Sequence, residues 1–303
     1  MGKRERWFDE GAPLLRQTIE GFGGEIPPGD FYMCPCCMIA YPREALAAKP
    51  RILTVEHVPP KRLRGHGLLL TCSDCNSTHG SKFDAQAIKR QAMEAVGRGE
   101  DPRRNLRATF IVNGIEMPCV VSFVNGRWVA RATGTHPENA DAHAEALQRA
   151  RESGDFSSAK FIIREEYDPA RANVSWIRSA YLAAFIALGW GYVFQSTLSP
   201  VRDQLKDPDP ATFQSLTGNL PDQPAGGRKI TIIERPEGLM SVAVVIDRRV
   251  VFLPDPWGEH SWDHLSQAVE PYTDREQSVR ISGNGLDVPW PIGAENRYRL
   301  DKI

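Results

Sequence analysis

Two C-x-x-C pairs constrain this chain more than any other feature. Cys34-Pro-Cys-Cys37 and Cys72-Ser-Asp-Cys75 flank residues 38 to 71. A C-x-x-C on a tight turn sets two thiolates about one tetrahedral edge apart, and two such pairs complete a closed structural zinc site. Five of the six cysteines fall between positions 34 and 75. That clustering reads as Zn2+ binding rather than as a disulfide framework. Cys36 is the fifth member and an alternative ligand, but Cys34 with Cys37 repeats the spacing of the second pair. Cys119 stands alone on an expected strand, as a small buried hydrophobe.

The reducing compartment that free thiolates need agrees with the rest of the chain. The segment Met1 to Phe8 is charged and no apolar run follows it, so no secretory signal is expected. The longest apolar stretch, Ala180 to Phe194, is short of the roughly 20 residues that span a bilayer. The expectation is a soluble, cytoplasmic protein without membrane contact. A net charge of -1 over 303 residues says nothing about a polyanionic partner. Its distribution does: cations exceed anions up to residue 107, and acidic residues prevail beyond it.

The length predicts two domains. The linker-like run GRGEDPRRN at 97 to 105 places the boundary, with an N-terminal domain over 1–106 and a second over 107–303. In the first, residues 7 to 20 fit an amphipathic helix ended by the Gly/Pro-rich run 21 to 30, and a helix is expected from Ser73 to Val96. In the second, LRATFIV, PCVVSFV and RWVARAT alternate as strands joined at Asn113-Gly114 and Asn125-Gly126, a three-stranded meander. A polar helix is expected over 137 to 152 and a strand over 159 to 167. Over 173 to 194, apolar residues at spacings of 3 and 4 predict a buried helix, the core of the second domain. Three more strands fall in 229 to 254, and the Gly/Pro-rich stretch 282 to 293 reads as irregular. The fold class expected is α+β, with β-meanders and a central buried helix following the zinc-stapled unit.

Between the cysteine pairs lies Leu53-Thr-Val-Glu56-His57-Val-Pro-Pro-Lys61, and the second pair continues into Asn76-Ser-Thr-His79-Gly80. Hydrolysis of a phosphodiester needs a base for water, a cation for the developing charge and help for the departing oxygen. Residues 31 to 90 resemble the HNH endonuclease family, in which an acidic residue and His precede Pro and Lys and a later C-x-x-C-N opens a helix. Thr54, Glu56, His57, Pro60, Lys61, Cys72, Cys75, Asn76, Gly80, Ser81 and Asp84 carry the likeness.

The resemblance implies a ββα-metal fold in which Glu56 and Asn76 hold one catalytic divalent metal and His57 is the general base. Oxygen ligands alone favour Mg2+ or Mn2+, and participation of His79 admits Zn2+ or Ni2+. His79 has three readings: a third metal ligand, a phosphate contact or an exposed first-turn histidine. The middle Asn of the family has no counterpart; His66 or a backbone carbonyl is left to orient His57. Adjacent strand residues point to opposite faces, so Glu56 and His57 are expected to diverge unless the end of the strand turns one of them.

Lys61, Arg62, Arg64 and Lys82, with Lys89 and Arg90, surround the motif and are expected to bind the phosphate backbone. The expectation is therefore an endonuclease acting on nucleic acid, DNA first, in a setting such as prokaryotic antiviral defence or a mobile element. Two other readings are a zinc-stapled nucleic-acid-binding module without catalysis, and a nuclease effector gated by the C-terminal domain, through which a partner protein or a second copy would act. His260 and His264 have i, i+4 spacing but read as a surface helix start, and His136 and His143 carry no signal.

Overall fold

The computed structural model describes residues 2–133, 137–155, 157, 159–206, 216–224, 226–269 and 284–302. Helices stand beside small antiparallel sheets, an α+β arrangement. The chain divides into two compact units, one of Met1–Ala87 with Pro169–Ile303 and the other of Ile88–Asp168. This division differs from the boundary expected near 106: the run 97 to 105 lies inside the second unit, and the cysteine-bearing segment Met1–Ala87 shares a unit with Pro169–Ile303.

The reason lies in one helix. Helix α5 spans Pro169–Leu188, and nearly every residue from Val174 to Leu188 is buried. A helix apolar on all sides must be covered on all sides. A two-stranded hairpin is too small to be stable alone and needs such a partner. Helix α5 packs on strands from both ends of the chain, which makes the first unit discontinuous in sequence.

Within that unit, helix α1 (Lys3–Gly21) buries Trp7, Phe8, Gly11, Ala12 and Leu15, and starts four residues before the expected one. Strands β1 (Phe31–Met33) and β2 (Ala40–Pro42) pair antiparallel, and their connection carries Cys34 to Cys37. Strands β3 (Leu53–Val58) and β4 (His66–Cys72) form an antiparallel hairpin. Gly65 closes its turn because a Cβ there would lie 1.3 Å from the Pro59 carbonyl oxygen, which no side chain tolerates.

The helix expected from Ser73 to Val96 is interrupted. It runs as α2 (Ser73–His79), a π-type turn (Gly80–Asp84) and α3 (Ala85–Gly97). The wider turn brings both Phe83 and Asp84 into the interior.

The second unit contains β5 (Leu106–Val112), β6 (Ile115–Val124) and β7 (Arg127–Ala132), the expected meander. Asn113-Gly114 and Asn125-Gly126 all adopt positive φ, as their tight turns require. Helix α4 (Ala140–Ser153) packs Ala146 and Ala150 on Val112 and Met117, and β8 (Lys160–Ile163) adds to β5. His136 lies outside the described residues.

Back in the first unit, helices α6 (Trp190–Val193) and α7 (Ser199–Lys206) follow α5. Strands β9 (Thr217–Asn219), β10 (Arg228–Arg235), β11 (Ser241–Ile246) and β12 (Arg249–Leu253) precede helix α8 (Trp262–Val269). Strand β13 (Asn284–Val288) falls in the stretch read as irregular and pairs with β10. The sheet order is β13-β10-β11-β12-β9. Among the described residues, no helix is long and apolar enough to cross a membrane.

Candidate functional site

The cysteine pairs meet. One ligand atom from each of Cys34, Cys37, Cys72 and Cys75 lies within 4.8 Å of the others. The Cys37 and Cys72 sulfurs are 3.8 Å apart. Zinc–sulfur bonds of about 2.3 Å give a tetrahedral edge of about 3.8 Å, so these four thiols can hold a metal such as zinc. Cys36 is buried but stands outside this set, consistent with the register that pairs Cys34 with Cys37. Hydrogen bonds from Cys36 first, and then from the other three thiols, hold the Cys34 thiol well below the usual thiol range. The Cys72 sulfur also accepts from the Cys75 backbone N–H, capping α2.

Hairpin β3–β4 and helix α2 lie directly on this centre, in the order strand, strand, helix. The register of the hairpin shifts between Glu56 and His57: Glu56 faces Leu69 and His57 faces Gly67, so Leu68 is the extra residue. The Leu68 carbonyl, displaced from the ladder, accepts from Arg297 Nη1 at 2.7 Å. A bulge re-aims side chains beside it. Glu56 is buried at 3% exposure, whereas His57 stays partly open.

Glu56 is fully engaged. Its Oε1 accepts from the His57 backbone N–H at 3.1 Å, and its Oε2 from the Thr71 hydroxyl at 3.1 Å and from Arg178 Nη2. Arg178, from α5, also has its Nη1 3.4 Å from Asp84 Oδ2, while Asp84 Oδ1 accepts from the Ser175 hydroxyl at 2.7 Å. Burial raises the pKa of both carboxyls and Arg178 opposes that rise. The guanidinium is 1% exposed. Nothing in the local sequence offers it a counter-ion, because residues 174, 175, 181 and 182 are Val, Ser, Tyr and Leu.

The other motif residues do not converge on Glu56. The Asn76 amide donates to Thr54 Oγ1 at 2.9 Å and to the Val55 carbonyl at 3.2 Å, which ties α2 to β3. His79 is 4% exposed and stacks on Phe83, with its Nε2 3.2 Å from the Leu205 carbonyl. That contact places the proton on Nε2 and leaves Nδ1 as a buried lone pair without a partner among the described residues. Burial, and then the Arg178 charge, lower the His79 pKa to about 3. The ring is neutral and interior, so it is neither the exposed first-turn residue nor the phosphate contact considered above. A catalytic divalent ion held by Glu56, Asn76 and His79 does not fit these side chains as they stand, because Arg178 already holds Glu56.

His57 is different. Burial first, then Lys61, Lys3 and His66, hold its pKa below the ordinary 6.5. It is therefore a neutral base at neutral pH. Among the described residues the His57 ring makes no hydrogen bond, and His66 acts on it by repulsion rather than as the orienting residue.

Lys61, Arg62, Arg64 and Lys82 are exposed. Lys89 reaches Glu165 and the Glu166 carbonyl, and Arg90 pairs with Glu94. Lys3, Arg4 and Arg51, which the sequence did not single out, line an open cleft of about 430 Å3 with Thr54 and Val55, the same two residues that Asn76 holds. His260 caps its own loop, its backbone N–H and ring meeting Asp255 at 2.8 and 3.3 Å. Arg178 is the residue the sequence reading missed, although a lone cation in an otherwise apolar helix was a visible signal. No family model matches this chain, and no curated protein or solved structure matches it.

Proposed function

We propose that this protein is an HNH-type endonuclease that hydrolyses nucleic-acid phosphodiester bonds, DNA first, leaving 5′-phosphate and 3′-hydroxyl ends. The observation that carries the reading is His57: a neutral, partly open imidazole at the end of a hairpin that abuts the cysteine centre, with Lys61 and Lys3 close enough to act on it. A general base must be unprotonated at working pH and open to water, and His57 is both.

Exposed Lys61, Arg62, Arg64 and Lys82 would bind phosphate oxygens and position the backbone, and Lys3, Arg4 and Arg51, which outnumber Glu5 in the cleft beside Thr54 and Val55, would add further cations. Zinc at the four cysteines would staple hairpin to helix and fix the direction of His57. With Glu56 held by Arg178, no step is assigned to a divalent ion. Residues beyond the ββα unit, including Ile88–Asp168, would select the target, partner or trigger, in a setting such as antiviral defence.

The test is a cleavage assay on plasmid DNA and on RNA, with Mg2+, Mn2+, Ni2+ and Zn2+ screened separately. The native protein should cut in at least one of them and His57→Ala in none. Intact DNA and RNA under every ion, with a retained gel shift, would leave the second reading: a zinc-stapled nucleic-acid-binding module without catalysis. The engagement of Glu56 by Arg178 is the observation that favours it.

A further inference from the structure

Side chains alternate between the two faces of a sheet, so register assigns every strand residue of the second unit to a side. On one side Leu106, Val112, Met117, Cys119 and Val121 are buried, with Val112 and Met117 packed on α4. On the other side no strand residue is buried. Arg107 on β5 and Arg131 on β7 stand there on either side of Val120, while Arg127 faces Val124 and Lys160 on β8 faces Ile111 by way of β5. All four cations are exposed, and Glu116 is the one carboxylate among the strand residues of that side. Cations elsewhere in the unit are matched: Lys89 and Arg104 meet Glu165, Arg98 meets Glu100 and Arg149 meets Glu145. Among the described residues, none of the four on the open side makes an ion pair or hydrogen bond.

We propose that this open side of the sheet is a docking face for the phosphate backbone of duplex nucleic acid, DNA first. The inference rests on the nucleic-acid part of the nuclease reading and adds to it a binding surface within Ile88–Asp168, outside the motif. Acidic residues prevail beyond residue 107, so four cations against one carboxylate on one side is a segregation of charge, and a polyanion is the partner that complements it. Single strands are held by bases stacked on aromatic side chains. The aromatics of this sheet belong by register to the α4 side, where Phe110 stacks on Phe161 and Phe123 meets Trp128 edge to face. The open side sets its cations among Val120, Val129 and Ile111 instead, a surface that meets phosphates and stacks no base. Strand spacing places the Arg107 and Arg131 backbones about 10 Å apart, and the step from Arg127 to Arg131 spans about 13 Å. Both spans are close to the width of about 12 Å by which a major groove separates two phosphate backbones.

The test is the salt dependence with which the full zinc-loaded chain binds a blunt DNA duplex, with no Mg2+, Mn2+ or Ni2+ added so that cleavage does not enter. Each phosphate contact contributes about 0.9 to the slope of log affinity against log salt. Arg107→Gln, Arg127→Gln and Arg131→Gln together should therefore flatten the slope by about 2.7 and weaken binding at least about tenfold. Lys at the same three positions keeps the charge and should keep the slope. Arg149→Gln with Arg151→Gln removes charge from α4, on the covered side, and should leave the slope unchanged. Should the triple variant fail to fold, Arg127→Gln with Arg131→Gln on the edge strand β7 should flatten it by about 1.8. A folded Gln variant with native affinity and slope would overturn the inference, as would an equal loss per charge from the α4 pair or a native chain that binds no duplex. A loss larger on the single strand than on the duplex would overturn the assignment to a duplex. A chain that cuts nothing can still bear out this face, and one that cuts through His57 with an unchanged slope would refute the face alone.

Discussion

Arg178 and Glu56 form an ion pair buried at 1% and 3% side-chain exposure, 122 positions apart in sequence. The pair joins helix α5 of the first unit to the strand that carries Glu56 and His57. Removing one partner of such a pair leaves an uncompensated buried charge, which costs about 3–5 kcal/mol. Arg178→Met should lower unfolding stability in urea by about that amount. The triple variant Arg178→Met, Glu56→Gln, Asp84→Asn should recover most of it. A single variant as stable as the native chain would show that the pair does not hold the helix to the hairpin.

The cysteine centre makes a different prediction. Zinc binding to such sites is coupled to folding, so Cys75→Ser or prolonged chelation should strip about one zinc per chain and unfold the hairpin with it. Cys36→Ser should keep the zinc, because Cys36 stands outside the four-sulfur set. Zinc content measured on both variants decides this. Loss of zinc from Cys36→Ser alone would reverse the ligand assignment.

Much of this centre was legible in sequence, because C-x-x-C spacing is a local geometric statement that survives any context. The start of α2 at Ser73 and the meander of the second unit were legible from equally local signals. The bulge at Leu68 and the π-type turn at Gly80–Asp84 were not, since both answer to packing rather than to propensity. Nor was the discontinuous first unit. Periodicity marked α5 as a core helix but carried no information on whose core, and Arg178 found its carboxylates in another part of the chain. The burial of His79 was not legible on the same account: the motif gives its position on a helix and left three roles open, while its packing on Phe83 and its contact with the Leu205 carbonyl come from the fold.

His79 predicts a pH dependence of stability. Its pKa falls from about 6.5 unfolded to about 3 folded, so the unfolded chain takes up the proton first. The stability is present above pH 6.5 and is lost as pH falls toward 3. Between pH 7 and pH 5 this contributes a loss of about 2 kcal/mol. His79→Gln can still donate to the Leu205 carbonyl but does not titrate, and its melting temperature should fall less over that range. Parallel melting curves for the two proteins would remove His79 from the account.

Binding of nucleic acid should weaken steeply with salt, because phosphate contacts release counter-ions. Replacing Lys61, Arg62, Arg64 and Lys82 one at a time by Ala should lower the slope of log affinity against log salt by about one unit each. Filter binding on one duplex between 50 and 200 mM salt would measure it, at concentrations of the order at which such contacts are resolved. A slope unchanged in the four-residue variant would place the binding face elsewhere, with the cleft at Lys3 and Arg51 as the next surface to alter.

The most direct test of the central claim is the single-turnover cleavage rate of an end-labelled DNA duplex as a function of pH, for native protein and His57→Ala. With His57 as the base, the native rate should rise with pH to a plateau and have its midpoint below the ordinary histidine value of 6.5. His57→Ala should be slower by about a hundredfold or more on the plateau, with its fold and zinc retained. A His57→Ala protein that cuts within about twofold of the native rate, with the same pH profile, would contradict the account.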